Sequence, residues 1–398
     1  MKLFSFLGLL SAIWLSNAFA AENNNPTTIS FKPGIGAEQA RKVCELGQIE
    51  QGLSTDIQRF KAVYKRYEER EMLINNKGLC GLELAYRALQ LGKILFPDNS
   101  QNLANLAYNY AVAFREMNLN MPKEAMAYAL EKFELSFDKN AADLIPVYED
   151  ACVENVFEKN SNQNPYCGMA IKLAKKIYGD RSVEYIDTLL RVSSTMLVSD
   201  SYSWDENRSL FIKARNILNE QSLNKDMRMA RVLFSLGKLE GTVKHHVRAV
   251  EFLSEALAIL DLPDFQRNSL TLTAHAFMVE SLEALDRHDE ATEHCLKIAQ
   301  LNETVNSATM KPLFRLMPEY PEGVAVAGIS GDVALEFTVN ELGYVVEPKV
   351  ISNTTNLETF ANISMKTVKK YRYAPRVVGG KAVATERVQM TMKYRVEK

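Results

Sequence analysis

Between Gly36 and Leu301 the chain reads as one helix after another, and this run limits the fold more than any other feature of its 398 residues. Apolar residues recur at three- and four-residue spacings and the gaps are short and polar, as in amphipathic helices joined by turns. In AVEFLSEALAIL, Ala249, Phe252, Leu253, Ala256, Leu257 and Leu260 share one face, with Glu251 and Glu255 off it. The pattern also repeats. LGKILFPDNS from Leu91 and LAKKIYGDRS from Leu173 each carry an apolar helix end with Lys third and then an aromatic residue. A Pro or Gly breaker, Asp and Ser follow, and a new helix begins. Ala125, Ala170, Ala214, Ala249 and Ala291, spaced by 35 to 45 residues, mark expected helix starts where paired helices approach closely. Such units stack on their neighbours into an α-solenoid with a concave and a convex face. A generic helical bundle is the alternative.

The array resembles degenerate tetratricopeptide repeats, although its spacings exceed that family's period of about 34 residues. On this resemblance SLGKLEG (Ser235–Gly241) and ALDRHDEA (Ala284–Ala291) are turns into the second helix of a hairpin. Solenoid surfaces of this kind bind peptides or partner proteins and seldom do chemistry.

Composition agrees with a binding role. Apolar residues make up 47 % and charged ones 24 % of the chain, an ordinary globular balance, and the net charge of −2 argues against nucleic acid as a partner. All five histidines lie between His245 and His294: His245, His246, His275, His288 and His294. No H-E-x-x-H and no pair at i, i+4 occurs among them, so they are expected to be solvated or helix-capping, with no metal site. The chain has no phosphate-binding glycine loop, nucleophile elbow or dinucleotide fingerprint. No catalytic residue, no cofactor and no enzymatic activity are expected.

The N-terminus, MKLFSFLGLLSAIWLSNAFA, has Lys2, an apolar run from Leu3 to Leu15, a polar Ser16-Asn17 step and Ala18-Phe19-Ala20. That order predicts a signal peptide cleaved after Ala20. An uncleaved inner-membrane anchor is the alternative, though the run falls short of the roughly 18–20 residues that cross a bilayer. Export permits disulfides. Cys44 and Cys80 are placed to tie adjacent helices, Cys152 and Cys167 flank the turn-like EKNSNQNP, and Cys295 is left over. Five buried thiols are the alternative.

The character of the chain changes at MPEYPEGVAVAGISGDVALEFTV (Met317–Val339). From Asp332, Val333, Leu335, Phe337 and Val339 alternate with polar or small residues, as in a half-buried strand. Asn340–Gly343 makes a turn, and Tyr344 to Ser352 returns as a second strand in which Pro348 needs a bulge or an unpaired side. Phe360, Ile363/Ser364, Thr367/Val368 and Tyr371 form a helical stripe. Pro375 and Gly379-Gly380 build a loop. Thr385–Val396 alternates again, with Val388, Met390, Met392, Tyr394 and Val396 inward.

This ββαβ region is similar to the C-terminal domain of the TonB energy-transducer family over about Arg315 to Val396. The resemblance rests on Tyr320-Pro321 and on Gly328-Ile329-Ser330-Gly331 ahead of Val333, Phe337 and Val339. It continues through Gly343, Val345 and Phe360 to Tyr371-Arg372-Tyr373-Ala374-Pro375, with Tyr371 where Trp is common. It implies a domain that takes an extended segment of an outer-membrane receptor as an added strand on its last strand. The contact residues it implies are Glu386, Arg387, Gln389, Thr391, Lys393 and Arg395, with Met317, Tyr320 and Pro321 beside them. Pairing of that strand in a homodimer is the alternative. The sequence departs from the family in having no histidine before His245, no Pro-rich spacer and a start that reads as cleavable, which puts direct coupling to an ExbB–ExbD motor in doubt.

The chain is therefore expected to be mainly α with a small α+β domain. Residues 1–20 are the signal peptide, 36–301 the tetratricopeptide-like solenoid, 302–311 a linker and 312–398 the TonB-like domain. The expected function is that of an exported, periplasmic adaptor of TonB type supporting transport across the outer membrane. Its partners would be a TonB-dependent receptor and, through the solenoid, an ExbB/ExbD-type or other envelope protein. A scaffold whose C-terminal domain dimerises or anchors the solenoid is the alternative.

Overall fold

The computed structural model describes residues 44, 46–69, 77–116, 121–153, 164–196, 204–263, 265, 269–301, 310–321, 329–355 and 357–395. The expected signal peptide and most of the expected linker lie outside these residues. Thirteen helices come first among them. They are α1 (Leu46–Ile49), α2 (Asp56–Glu68), α3 (Lys77–Leu95), α4 (Gln101–Glu116), α5 (Lys123–Ser136), α6 (Leu144–Val153) and α7 (Pro165–Tyr178). Then follow α8 (Val183–Met196), α9 (Trp204–Glu220), α10 (Met227–Thr242), α11 (His246–Leu260), α12 (Ser269–Ala284) and α13 (His288–Leu301). The chain forms two compact units, Met1–Leu173 and Ala174–Lys398. The division falls inside the helical array and not at 302–311, so the later helices share a unit with the C-terminal sheet.

In the first unit α1 to α5 each pack on the next helix in sequence. α2 opens on a capping box in which Thr55 Oγ1 accepts from the Gln58 N–H and Gln58 Oε1 accepts from the Thr55 N–H, both at 3.3 Å. Asp150 is fully buried and takes both arms of the Arg115 guanidinium (2.7 and 2.6 Å) and the Tyr108 hydroxyl (2.6 Å). Disulfides join Cys44 to Cys80 and Cys152 to Cys167.

In the second unit α8 to α13 pack in succession, and α10 also touches α8 and α12, the neighbour-only stacking of a solenoid. SLGKLEG is not a turn: Ser235–Gly241 lies inside α10. A Cβ on Gly237 would stand 2.7 Å from Leu253 Cγ, so this glycine serves close approach of α10 to α11. The turn itself follows at Val243–His245, with Lys244 at φ +63°. ALDRHDEA does hold one, with Asp286 at φ +55° between α12 and α13. The five marker alanines are all buried, but Ala170 and Ala214 sit well inside α7 and α9. They mark helix contacts, and only some of those contacts lie near helix starts.

The C-terminal domain consists of β1 (Gly331–Val339), β2 (Val345–Asn353), α14 (Glu358–Val368), β3 (Arg376–Val378), β4 (Lys381–Val383) and β5 (Thr385–Tyr394). The antiparallel sheet has the order β2-β1-β5, and α14 packs on β1 and β2. Val333, Leu335, Phe337 and Val339 are buried with Phe360, Val368, Tyr371, Tyr373, Val388, Met392 and Tyr394 in one core. Glu336 faces Lys349 while Thr338 faces Val346, so β2 carries an extra residue at Glu347-Pro348, with Glu347 at φ +53°. Pro348 thus sits in a bulge. Where the sequence predicts only a loop, β3 and β4 form a short hairpin whose tip, Gly379-Gly380, has φ of +57° and +76°. Three-residue strands are too short to show alternation, but a Gly-Gly pair is a hairpin signal.

Candidate interaction site

Among the described residues the sheet order gives β5 a partner, β1, on one side only. An edge strand turns every second N–H and C=O outward, which makes it a template for another strand. Glu386, Arg387, Gln389, Thr391, Lys393 and Arg395 are all exposed, while Val388, Met392 and Tyr394 point into the core. The regular stretch is shorter than this set. Phe337 faces Val388 but Val339 faces Thr385, so Glu386 and Arg387 form a bulge, with Arg387 at φ +57°. Straight pairing runs from Val388 to Tyr394. Cross-strand contacts hold it to β1: Gln389 Nε2 donates to Glu336 (3.0 Å), and Arg395 pairs with Asp332 (2.6 Å) and donates to the Gly331 carbonyl (2.9 Å). The opposite edge, β2, is interrupted by two register shifts and by Pro348, features that blunt an edge.

The approach residues separate into two kinds. Met317 is 83 % exposed. Tyr320 instead lays its ring edge-on against Phe360 (5.4 Å between centroids) and Tyr394 (6.2 Å), its hydroxyl donates to the Ile329 carbonyl, and Pro321 is buried. Tyr320 and Pro321 therefore fix the approach segment to the domain core, and Pro321 presents no surface to a partner. The Tyr371 hydroxyl holds the same segment by donating to the Leu316 carbonyl (2.9 Å).

Sequence reasoning missed the role of Arg372, which it placed only in an aromatic-rich motif. The side chain is almost wholly buried and leaves the sheet domain for the α12–α13 hairpin. There Nη1 donates to Glu283, and Nη2 donates to Thr292 Oγ1 (2.8 Å) and to the Leu342 carbonyl of its own domain (3.2 Å). The guanidinium lies 3.7 Å from the centroid of the Tyr344 ring. Cys295 Sγ is 3.8 Å from Nη2, and burial pushes this thiol up to about 11. The available signal was an acid at a helix end: Glu283 is the next-to-last residue of α12, five residues before His288.

Two of the histidines, His275 and His294, differ from expectation, whereas His245 and His288 are solvated, with about half of each side chain exposed. His245 and His288 bond the carboxylates of Glu240 (2.9 Å) and Glu283 (2.8 Å). His275 and His294 are neither free in solvent nor capping, because their Nδ1 atoms meet at 2.7 Å across the α12–α13 hairpin. Burial lowers both to about 4, so the pair is neutral at pH 7. Among the described residues no three potential ligands gather into a metal site. Elsewhere in the second unit an open groove of about 350 Å³ runs along α9 between Lys213, Glu220 and the Asp180-Arg181 turn, with balanced charge. No described helix is long and apolar enough to cross a membrane.

Residues 317–396 match the family described as the Gram-negative bacterial TonB protein C-terminal, and they are a TonB-type C-terminal domain. The TonB protein of Pseudomonas aeruginosa is 30 % identical over 95 residues, which is 24 % of this chain and 27 % of that protein. The chain thus spans about a quarter of the length of this curated relative. Among solved structures, aspartyl phosphate phosphatase F of Bacillus subtilis aligns with a TM-score of 0.45 and 14 % identity, over 71 % of this chain and 77 % of that one. A kinesin-light-chain-type protein of Podosopora anserina with nearly identical TPR-like repeats aligns with a TM-score of 0.33 and 10 % identity, over 61 % and 95 %.

Proposed function

We propose that the protein is an exported periplasmic adaptor, without enzymatic activity or cofactor, whose C-terminal domain takes an extended receptor segment as a fourth strand on β5. The observation that carries this reading is the open, regular edge from Val388 to Tyr394 in a TonB-type domain whose other edge is blunted. Backbone pairing would supply affinity, and Gln389, Thr391, Lys393 and Arg395 would supply selectivity. The helical array would hold a second envelope protein, of ExbB/ExbD type or another. Its balanced α9 groove favours a partner of mixed charge. The test is hydrogen exchange of the full chain with an outer-membrane receptor peptide at high micromolar concentration. Protection is expected at alternate amides between Val388 and Tyr394. Unchanged exchange along β5 overturns the docking role.

The same edge supports a second reading, a scaffold that pairs β5 with β5 of another copy. Light scattering separates the two, since self-pairing raises the mass with protein concentration in the absence of peptide.

A further inference from the structure

We propose that Arg372 latches the sheet domain to the last helical hairpin, so that α12, α13 and the sheet turn as one body and the β5 edge keeps a fixed orientation to them. This inference holds whatever β5 binds.

The receiving site is built by the hairpin. Glu283, at the end of α12, has one oxygen held by His288 Nδ1 at 2.8 Å, which aims the other at Arg372. Thr292 Oγ1 is oriented by donating to the His288 carbonyl (2.9 Å), leaving its lone pairs to Arg372. Arg372 is also fixed through its backbone. Its carbonyl accepts from the Leu313 N–H (2.7 Å), its N–H donates to the Phe314 carbonyl (3.1 Å), and a bridge links it to Tyr344. Gly343 closes the junction: a Cβ there would collide with the Tyr373 carbonyl and touch Cys295. β3 packs on α13 beside it.

Turning the domain on the hairpin requires withdrawing a charged fork from a site where its side chain is 2 % exposed and its carboxylate partner 6 % exposed. A buried ion pair contributes little net stability beyond what apolar packing would give. It does discriminate against other arrangements, since a slight rotation leaves both charges unpaired out of water. A planar fork that serves Glu283, Thr292 and Leu342 together needs arginine, because a lysine offers a point charge.

Cys295 reports the state of the latch. It is the free cysteine among the described residues, buried and in contact with Arg372. In the full chain without denaturant, Cys295 is expected to resist N-ethylmaleimide. Arg372→Met and Glu283→Gln are expected to raise its labelling rate about tenfold or more, as opening at this junction becomes frequent. Arg372→Lys should fall between. Throughout, the β1 and β5 amides should keep their protection from hydrogen exchange. Rapid labelling of the unmutated chain overturns the latch, as does unchanged labelling in the variants. Labelling accompanied by lost protection in β1 and β5 also overturns it, because Arg372 would then be supporting the sheet itself.

Discussion

The two compact units carry their cross-links in different chemistry. The first holds both disulfides, Cys44–Cys80 and Cys152–Cys167, and a buried ion pair within its helices. The second has a free buried thiol and relies on polar junctions: Arg372 with Glu283, and His275 with His294. Covalent links ignore pH and salt but respond to reductant, whereas buried polar junctions respond to pH and to loss of one partner. The difference teaches where each unit is vulnerable.

The largest effect should come from deleting a buried partner. Arg372→Met is expected to cost about 3–5 kcal/mol at the junction. Calorimetry should show the transition of the second unit splitting in two. Asp150→Asn in the first unit should cost less, because the partner it leaves, Arg115, is 42 % exposed and can rehydrate, whereas the Glu283 left by Arg372→Met is 6 % exposed. Equal losses would break the comparison. Reduction should come next, lowering the stability of the first unit by about 2–4 kcal/mol and leaving the second unchanged. Proteolysis with and without dithiothreitol reads this out.

Acid should act on the second unit through its histidine pair. In the unfolded chain both titrate near 6.5, but in the folded one burial holds them near 4. Between those values the unfolded chain binds more protons, so stability declines as pH falls from about 6.5 and stops declining below about 4. A fall in Tm of roughly 10 °C from pH 7 to 5 is expected for this unit, and His275→Phe should flatten that dependence. A slope unaffected by this substitution would remove the pair from the account. Thr391→Glu on the β5 edge should be smallest for stability, within about 0.5 kcal/mol, while weakening strand addition by an acidic peptide.

Much of the architecture was legible because it is periodic. The alternation from Val333 to Val339 and from Val388 to Tyr394 marks a buried sheet face, and the stripe through Phe360, Ser364 and Val368 marks the helix that covers it. Local chemistry was legible too. Asn340 accepts from the Leu342 and Tyr344 N–H groups, and Gly343 takes φ +82°. Long-range geometry was not. The hairpin partners of Arg372 lie 77 to 89 residues away, and the partner of His275 lies on another helix. A periodic pattern names the buried face of an element but not which element will cover it. SLGKLEG misleads for a related reason, since glycine serves both turns and close helix contacts, and only the neighbour distinguishes them. Tyr320 and Pro321 similarly have residue types suited to a partner, yet their places were taken by Phe360, Tyr394 and the domain core.

The bulged, proline-bearing β2 edge has a consequence for growth. A sheet with two open sides can extend without limit, each added strand exposing a new one. Among the described strands β5 offers the regular edge, so two copies joined there would present the bulged β2 at both outer sides and stop at a pair. A bound peptide and a second copy would then compete for one vacancy.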